Sequence, residues 1–146
     1  MRIVIFGTGG VGGYFGGRLA QAGEDVVFIA RGQHLQALRE SGLRVESVLG
    51  DFTVRPAQAS DDPVAVGQVD AILLAVKAWQ VPEAAEAMRP MVGPETFVVP
   101  LQNGVEAPAQ LAAARDEDYV FARLRQPAAE VTAYPTCSEY DDTHRT

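Results

Sequence analysis

One glycine-rich turn, set between an apolar run and a helical pattern, constrains this chain more than any other feature. Arg2-Ile-Val-Ile-Phe6 is short, apolar and rich in β-branched residues, and Gly7-Thr-Gly-Gly-Val-Gly12 follows at once. Tyr14, Leu19 and Ala22, mixed with small residues, then give a helical pattern closed by Gly23. A second apolar run, Val26-Val-Phe-Ile-Ala30, leads into Arg31. The order is strand, glycine turn, helix, strand: a βαβ unit of the kind that holds a dinucleotide. Gly7 lets the chain leave the strand through angles that a side chain forbids. Gly9 lacks a Cβ, so a pyrophosphate can approach the backbone, and Gly12 lets the helix lie tight on the strand. The helix N-terminus offers free N–H groups and a partial positive charge to phosphates. Gly13, Gly16 and Gly17 fall within the predicted helix, where each costs about 1 kcal/mol relative to alanine. Close packing on a sheet or a cofactor accounts for that cost, at all three positions or at only some of them.

The end of the second strand decides which dinucleotide. An NAD site places Asp or Glu there, on the ribose 2′-OH. This strand ends Ala30-Arg31, while Glu24 and Asp25 lie at its start. A guanidinium grips a 2′-phosphate through paired hydrogen bonds, so NADP(H) is favoured over NAD(H). The alternative for Arg31 is an ordinary surface arginine.

At 146 residues the chain has room for one domain with a real core. A 47% apolar and 21% charged composition fits a soluble globular protein. The net charge of −7 argues against a broad nucleic-acid or anionic-membrane surface, but not against a local positive pocket. The single cysteine, Cys137, excludes an internal disulfide and reads as a bystander thiol. No run approaches the roughly 18 apolar residues of a membrane span. The first residues enter a strand directly and do not read as a signal peptide, so a cytoplasmic location is expected. Of the 12 basic residues only Lys77 is a lysine, which draws attention to its position.

Further along, Gln33 to Ser41 reads as a helix with Leu35 and Leu38 inward and Gly42 as its stop. His34, in its first turn, is assigned a surface role. Leu43 to Val48 and Phe52 to Val54 alternate around Gly50-Asp51, which predicts a hairpin at a sheet edge. Ala57 to Gly67 is a loop or short helix, starting at Asp61-Asp62-Pro63. Val69 to Val76 is nearly continuous apolar sequence, a strand buried on both faces, and ends at Lys77. Pro82 to Met88 is a second crossover helix. Thr96 to Leu101 is the next buried strand, with Pro100 expected late in it. Glu106 to Ala114 is a third helix and Tyr119 to Leu124 a last strand. The pattern predicts an α/β doubly wound, mostly parallel sheet with helices on both faces. Residues 1–126 form the dinucleotide-binding domain, and 127–146 a poorly defined tail.

In such sheets ligands bind beyond the carboxyl ends of the strands. The glycine turn, Arg31, Lys77 and Asn103 all fall there. Lys77 offers a compact charge suited to a ribose hydroxyl, a carboxylate or a carbonyl oxygen; otherwise it is a solvated strand end. Asn103 offers a donor and an acceptor; otherwise Asn103-Gly104 is a turn. Trp79 is expected to pack beside the cleft, and Glu106 to cap the helix after Asn103. No residue pattern suggests a metal site.

The stretches Gly7 to Ala20, Phe28-Ile-Ala-Arg-Gly32, Val76-Lys-Ala-Trp-Gln80 and Leu101-Gln-Asn-Gly-Val105 resemble the N-terminal half of ketopantoate reductases (2-dehydropantoate 2-reductases). The resemblance covers about Met1 to Leu111. It implies a Rossmann-type fold and NADPH-dependent reduction of an α-keto acid, 2-dehydropantoate, to pantoate, on the route to pantothenate and coenzyme A. It further implies that Gly7, Thr8, Gly9, Gly10, Val11 and Gly12 hold the pyrophosphate and Arg31 the 2′-phosphate. Lys77 would lie by the cofactor ribose, and Asn103 by the nicotinamide and substrate. In that family a helical second domain supplies the proton-donating lysine and a substrate-binding glutamate. No catalytic residue is therefore assigned here, and the chain is expected to bind cofactor with little or no turnover by itself. Around Ala122-Arg123 the family usually shows small, glycine-rich sequence, which this chain lacks. Three alternatives stand beside this reading: a non-catalytic NADP-binding or interaction module, which a stable homodimer or a co-purifying partner would favour; a half-enzyme completed in trans by a separately encoded helical domain; and a reductase of another keto acid.

Overall fold

The computed structural model describes residues 1–103 and 106–113. The expected last strand, the 127–146 tail and Cys137 lie outside the described residues. β1 (Arg2–Phe6) leads through the glycine turn into α1 (Gly10–Gln21), then β2 (Asp25–Ile29) and α2 (Gly32–Ser41). A short pair, β3 (Leu43–Val45) and β4 (Phe52–Val54), precedes β5 (Gln58–Ser60) and α3 (Pro63–Val66). β6 (Val69–Leu74), α4 (Val81–Met88), β7 (Val92–Pro100) and α5 (Ala107–Ala113) complete the order.

Among the described residues, five strands form one sheet in the order β5-β2-β1-β6-β7, every pairing parallel. The doubly wound prediction is met. Side chains alternate across each strand, so the sheet carries two cores. Val4, Phe6, Val27, Ile29, Ile72, Leu74 and Val98 face α4 and α5, meeting Val81, Ala84, Ala85, Met88 and Leu111. Ile3, Ile5, Val26, Phe28 and Ala71 face the other way, with Leu35 and Leu38 of α2. Burying a side chain of this size contributes roughly 1.5–3 kcal/mol. Pro100 is the last residue of β7, late in the strand as expected.

The helix glycines have a packing reason. The buried positions of α1 are Gly12, Gly13, Gly16 and Gly17, so its backbone lies directly on its neighbours. A Cβ at Gly16 would stand 2.5 Å from Ile5 and 2.6 Å from Phe28, and one at Gly17 2.7 Å from Phe52. Gly13 has more room, 3.7 Å to Leu43.

Two expectations for the middle of the chain need correction. The hairpin forms, Leu43 opposite Val54 and Val45 opposite Phe52, but as a separate two-stranded sheet. Its Phe52 packs on α1, with the Arg18 guanidinium 4.3 Å from the ring centroid. The sheet edge belongs instead to β5, within the stretch expected to be loop or short helix. Gln58–Ser60 pairs with Val27–Ile29, and Gln58 Nε2 donates to Asp25 Oδ1 at 3.0 Å. Three residues without apolar alternation carry no strand signal of their own; the open edge of β2 imposes the conformation. The helix start at Asp62-Pro63 is as expected: Asp62 Oδ1 accepts the Val64 N–H at 2.9 Å.

Candidate functional site

The register aligns Ile29, Phe6, Leu74 and Pro100 in one row across four parallel strands. At a strand spacing of about 4.8 Å, that row is about 14 Å wide. Arg31, the glycine turn, Lys77 and Asn103 each follow within three residues of it. All four therefore share the carboxyl edge, with the reversal of strand order between β1 and β6, where such sheets open a crevice.

A cavity of about 340 Å³ opens at that edge. Its lining includes Gly7, Thr8, Gly9, Ala30, Arg31 and His34 on one side, and Gln80, Glu83, Ala84 and Ala87 on the other. Gly7 adopts φ +101°, a left-handed conformation that disfavours any side chain, and a Cβ there would sit 2.9 Å from the Ala75 backbone. At Gly12 a Cβ would stand 2.1 Å from the Gly7 carbonyl oxygen. Gly9 and Gly10 differ: a Cβ at either would meet no heavy atom within 4 Å. The turn is thus tight toward the protein at Gly7 and Gly12 and open at Gly9, which lines the cavity, and at Gly10 beside it. Gly9, the N-cap of α1, has no side chain to take up the first-turn N–H groups.

Two side-chain bonds hold the turn. Thr8 Oγ1 donates to the Ile29 carbonyl at 3.0 Å, fastening the turn to the end of β2. His34 Nε2 lies 2.9 Å from the Thr8 carbonyl oxygen. That oxygen only accepts, so Nε2 carries the proton. His34 is at the surface as expected, but it is more than a bystander there: it lines the cavity and ties α2 to the glycine turn. Its position three residues after Arg31 was the available signal, since that spacing returns a helical residue to the same side.

Arg31 reaches the mouth from the N-terminus of α2, and its Nη1 lies 3.6 Å from Glu83 Oε1. The far wall was missed in the sequence, although Gln80, Glu83, Ala84 and Ala87 recur at the spacing of one helical stripe. Lys77 and Asn103 are exposed at the same carboxyl edge and do not line the cavity. The Lys77 N–H is held by Gln80 Oε1 at 3.1 Å, and Gln102 Nε2 donates to the Leu74 carbonyl at 3.0 Å just before Asn103. Trp79, expected to pack beside the cleft, is 78% exposed. The turn over Ala78–Gln80 directs Val81 into the core and leaves Trp79 outside. Glu106 directly precedes α5, where its carbonyl accepts the Gln110 N–H at 3.0 Å.

A parallel sheet with strand order reversed at β1, a glycine turn and a helix N-terminus at the crevice define a Rossmann-type α/β domain. Comparison with known proteins carries this one step further. The family described as ketopantoate reductase PanE/ApbA matches residues 3–132, and the chain belongs to that family. It is 40% identical over 106 residues to a 2-dehydropantoate 2-reductase of Mesorhizobium japonicum, covering 72% of this chain and 32% of the relative. A PanE/ApbA family ketopantoate reductase from Ralstonia eutropha superposes with TM-score 0.74 at 43% identity, covering 82% of this chain and 40% of that one. A D-mandelate dehydrogenase solved with NADH and anilino(oxo)acetate superposes with TM-score 0.72 at 25% identity, covering 82% and 39%. The chain thus spans about two fifths or less of the length of these relatives. Among the described residues, no helix is long and apolar enough to cross a membrane.

Proposed function

We propose that this chain binds NADP(H) at the crevice between β1 and β6, as the cofactor half of an enzyme that reduces 2-dehydropantoate to pantoate. The observation carrying the proposal is the glycine turn: closed against the fold at Gly7 and Gly12, open at Gly9 and Gly10, at the mouth of a cavity flanked by a guanidinium. The residues fit a dinucleotide. Gly7, Thr8, Gly9, Gly10, Val11 and Gly12 present backbone N–H groups to a pyrophosphate, and Arg31 offers paired donors to a 2′-phosphate. Lys77 and Asn103, further along the edge, serve the ribose and the nicotinamide, with Asn103 also meeting substrate. When bound, the cofactor supplies a hydride to the keto carbon. The part of these residues is to hold the cofactor in one orientation, the requirement that makes the transfer effectively intramolecular. Membership of the ketopantoate reductase family supports the reaction and the small α-keto acid as substrate. Because the stretch spans two fifths or less of its relatives, the reaction belongs to the proposal for the whole enzyme, and cofactor binding to the proposal for this stretch.

Calorimetric titration with NADPH and NADH tests the reading. Tighter binding of NADPH, lost on Arg31→Ala, is the expected result. An unchanged ratio in that variant removes Arg31 from the site. Purified 146-residue chain with NADPH and ketopantoate tests the rest: ordinary enzymatic turnover would refute confinement of this stretch to the cofactor half. A non-catalytic NADP-binding module would show the same nucleotide affinity with no response to the keto acid.

A further inference from the structure

An acid faces the arginine at the cavity mouth. Glu83 lies in the first turn of α4, and Arg31 at the N-terminus of α2, so the two side chains extend toward one another from opposite walls. Their nearest nitrogen and oxygen are 3.6 Å apart, an ion pair beyond hydrogen-bond reach, and the side chains are 69% and 72% exposed. Such a pair is loose and solvent-screened. A helix first turn favours the carboxylate where it stands, so Glu83 needs no arginine to remain there.

Resting on the NADP(H) reading above, we propose that Glu83 is a specificity-determining residue that moderates the choice between NADPH and NADH. Its carboxylate shares the Arg31 guanidinium with the 2′-phosphate of NADPH. Seating that phosphate means giving up the ion pair and bringing two anions close together. NADH, with a 2′-hydroxyl, meets neither obstacle, and a carboxylate at this spot accepts a hydrogen bond from that hydroxyl. The site thus carries both an arginine suited to the phosphate and an acid suited to the diol, on separate walls. Arg31 sets the direction of the preference and Glu83 limits its size.

The test is isothermal titration of the chain and its E83Q, R31A and R31A/E83Q variants with NADPH and NADH, at low and near-physiological salt. Glu83→Gln keeps the shape and removes the charge, at a site exposed enough to leave folding intact. It is expected to tighten NADPH binding about 3- to 10-fold at low salt, the range for loss of an exposed pair plus one like-charge contact. NADH binding is expected to stay within about twofold or weaken, and the NADPH gain to shrink at higher salt. In the Arg31→Ala background the gain is expected to fall to the part due to repulsion alone. If the unaltered chain prefers NADPH but Glu83→Gln leaves its affinity equal or weaker, the role of Glu83 is overturned and the NADP(H) reading survives. If the unaltered chain binds neither nucleotide, both fall together.

Discussion

Gly9→Ala separates the proposed nucleotide-binding role of the glycine turn from its structural role. Gly9 has φ −83° and ψ −163°, an extended conformation open to alanine, and the added methyl meets no heavy atom within 4 Å. Alanine is a poorer N-cap than glycine by several tenths of a kcal/mol, while it removes unfolded-state entropy worth about 0.4–1 kcal/mol. The two effects oppose, so stability is expected to move by less than about 1 kcal/mol. Binding has no such compensation. In the proposed site the methyl would occupy the space through which a pyrophosphate reaches the backbone. Losing one hydrogen bond to a charged group costs about 1.5–3 kcal/mol, or roughly 10- to 150-fold in affinity. Thermal unfolding and calorimetric titration with NADPH, on the same preparation, read the two quantities. A melting temperature within about 5 °C of the unaltered chain, with NADPH affinity reduced at least tenfold, is expected. If both are unchanged, no phosphate passes Gly9 and the reasoning fails; if the protein is destabilised by several kcal/mol, the space at Gly9 is not open.

Gly12→Ala is expected to act in the opposite way: its Cβ would lie 2.1 Å from a backbone oxygen. The helix must shift by about an ångström, an overpacking cost of about 1–3 kcal/mol that a helix-propensity gain of about 1 kcal/mol only partly offsets, readable by urea denaturation. Buried Thr96 Oγ1 donates to the Val69 carbonyl and accepts the Gly93 N–H at 2.9 Å, so Thr96→Val strands two backbone groups. It is expected to lower stability by about 1–3 kcal/mol without changing NADPH affinity; a neutral variant in denaturant titration would show that β7 relaxes around the loss. The amino group of Met1 is held above its ordinary pKa, first by its hydrogen bond to Glu24 and then by that carboxylate's charge. This small stabilisation is present below the unfolded-state pKa and fades as pH rises through the folded one, so Glu24→Gln should flatten the alkaline limb of a stability–pH profile.

The sequence by itself determined the βαβ opening, the central strands and the carboxyl edge, because those features are local. A buried parallel strand must be apolar throughout, a helix laid directly on a sheet must be small on that side, and Gly7 must adopt a positive φ. Periodicity and glycine placement record these demands residue by residue. The tertiary structure alone decided what depends on a partner from elsewhere in the chain. Gln58–Ser60 is a strand because β2 has an open edge, and the hairpin leaves the sheet because β5 takes its place. His34 joins the site because the Thr8 carbonyl lies within its reach, and Glu83 because α4 forms the wall opposite Arg31. The first two have no pattern of their own to betray them, and the spacings of His34 and Glu83 place them on a helix side without saying what that side faces; each is set by packing between segments whose mutual distance the linear order does not encode.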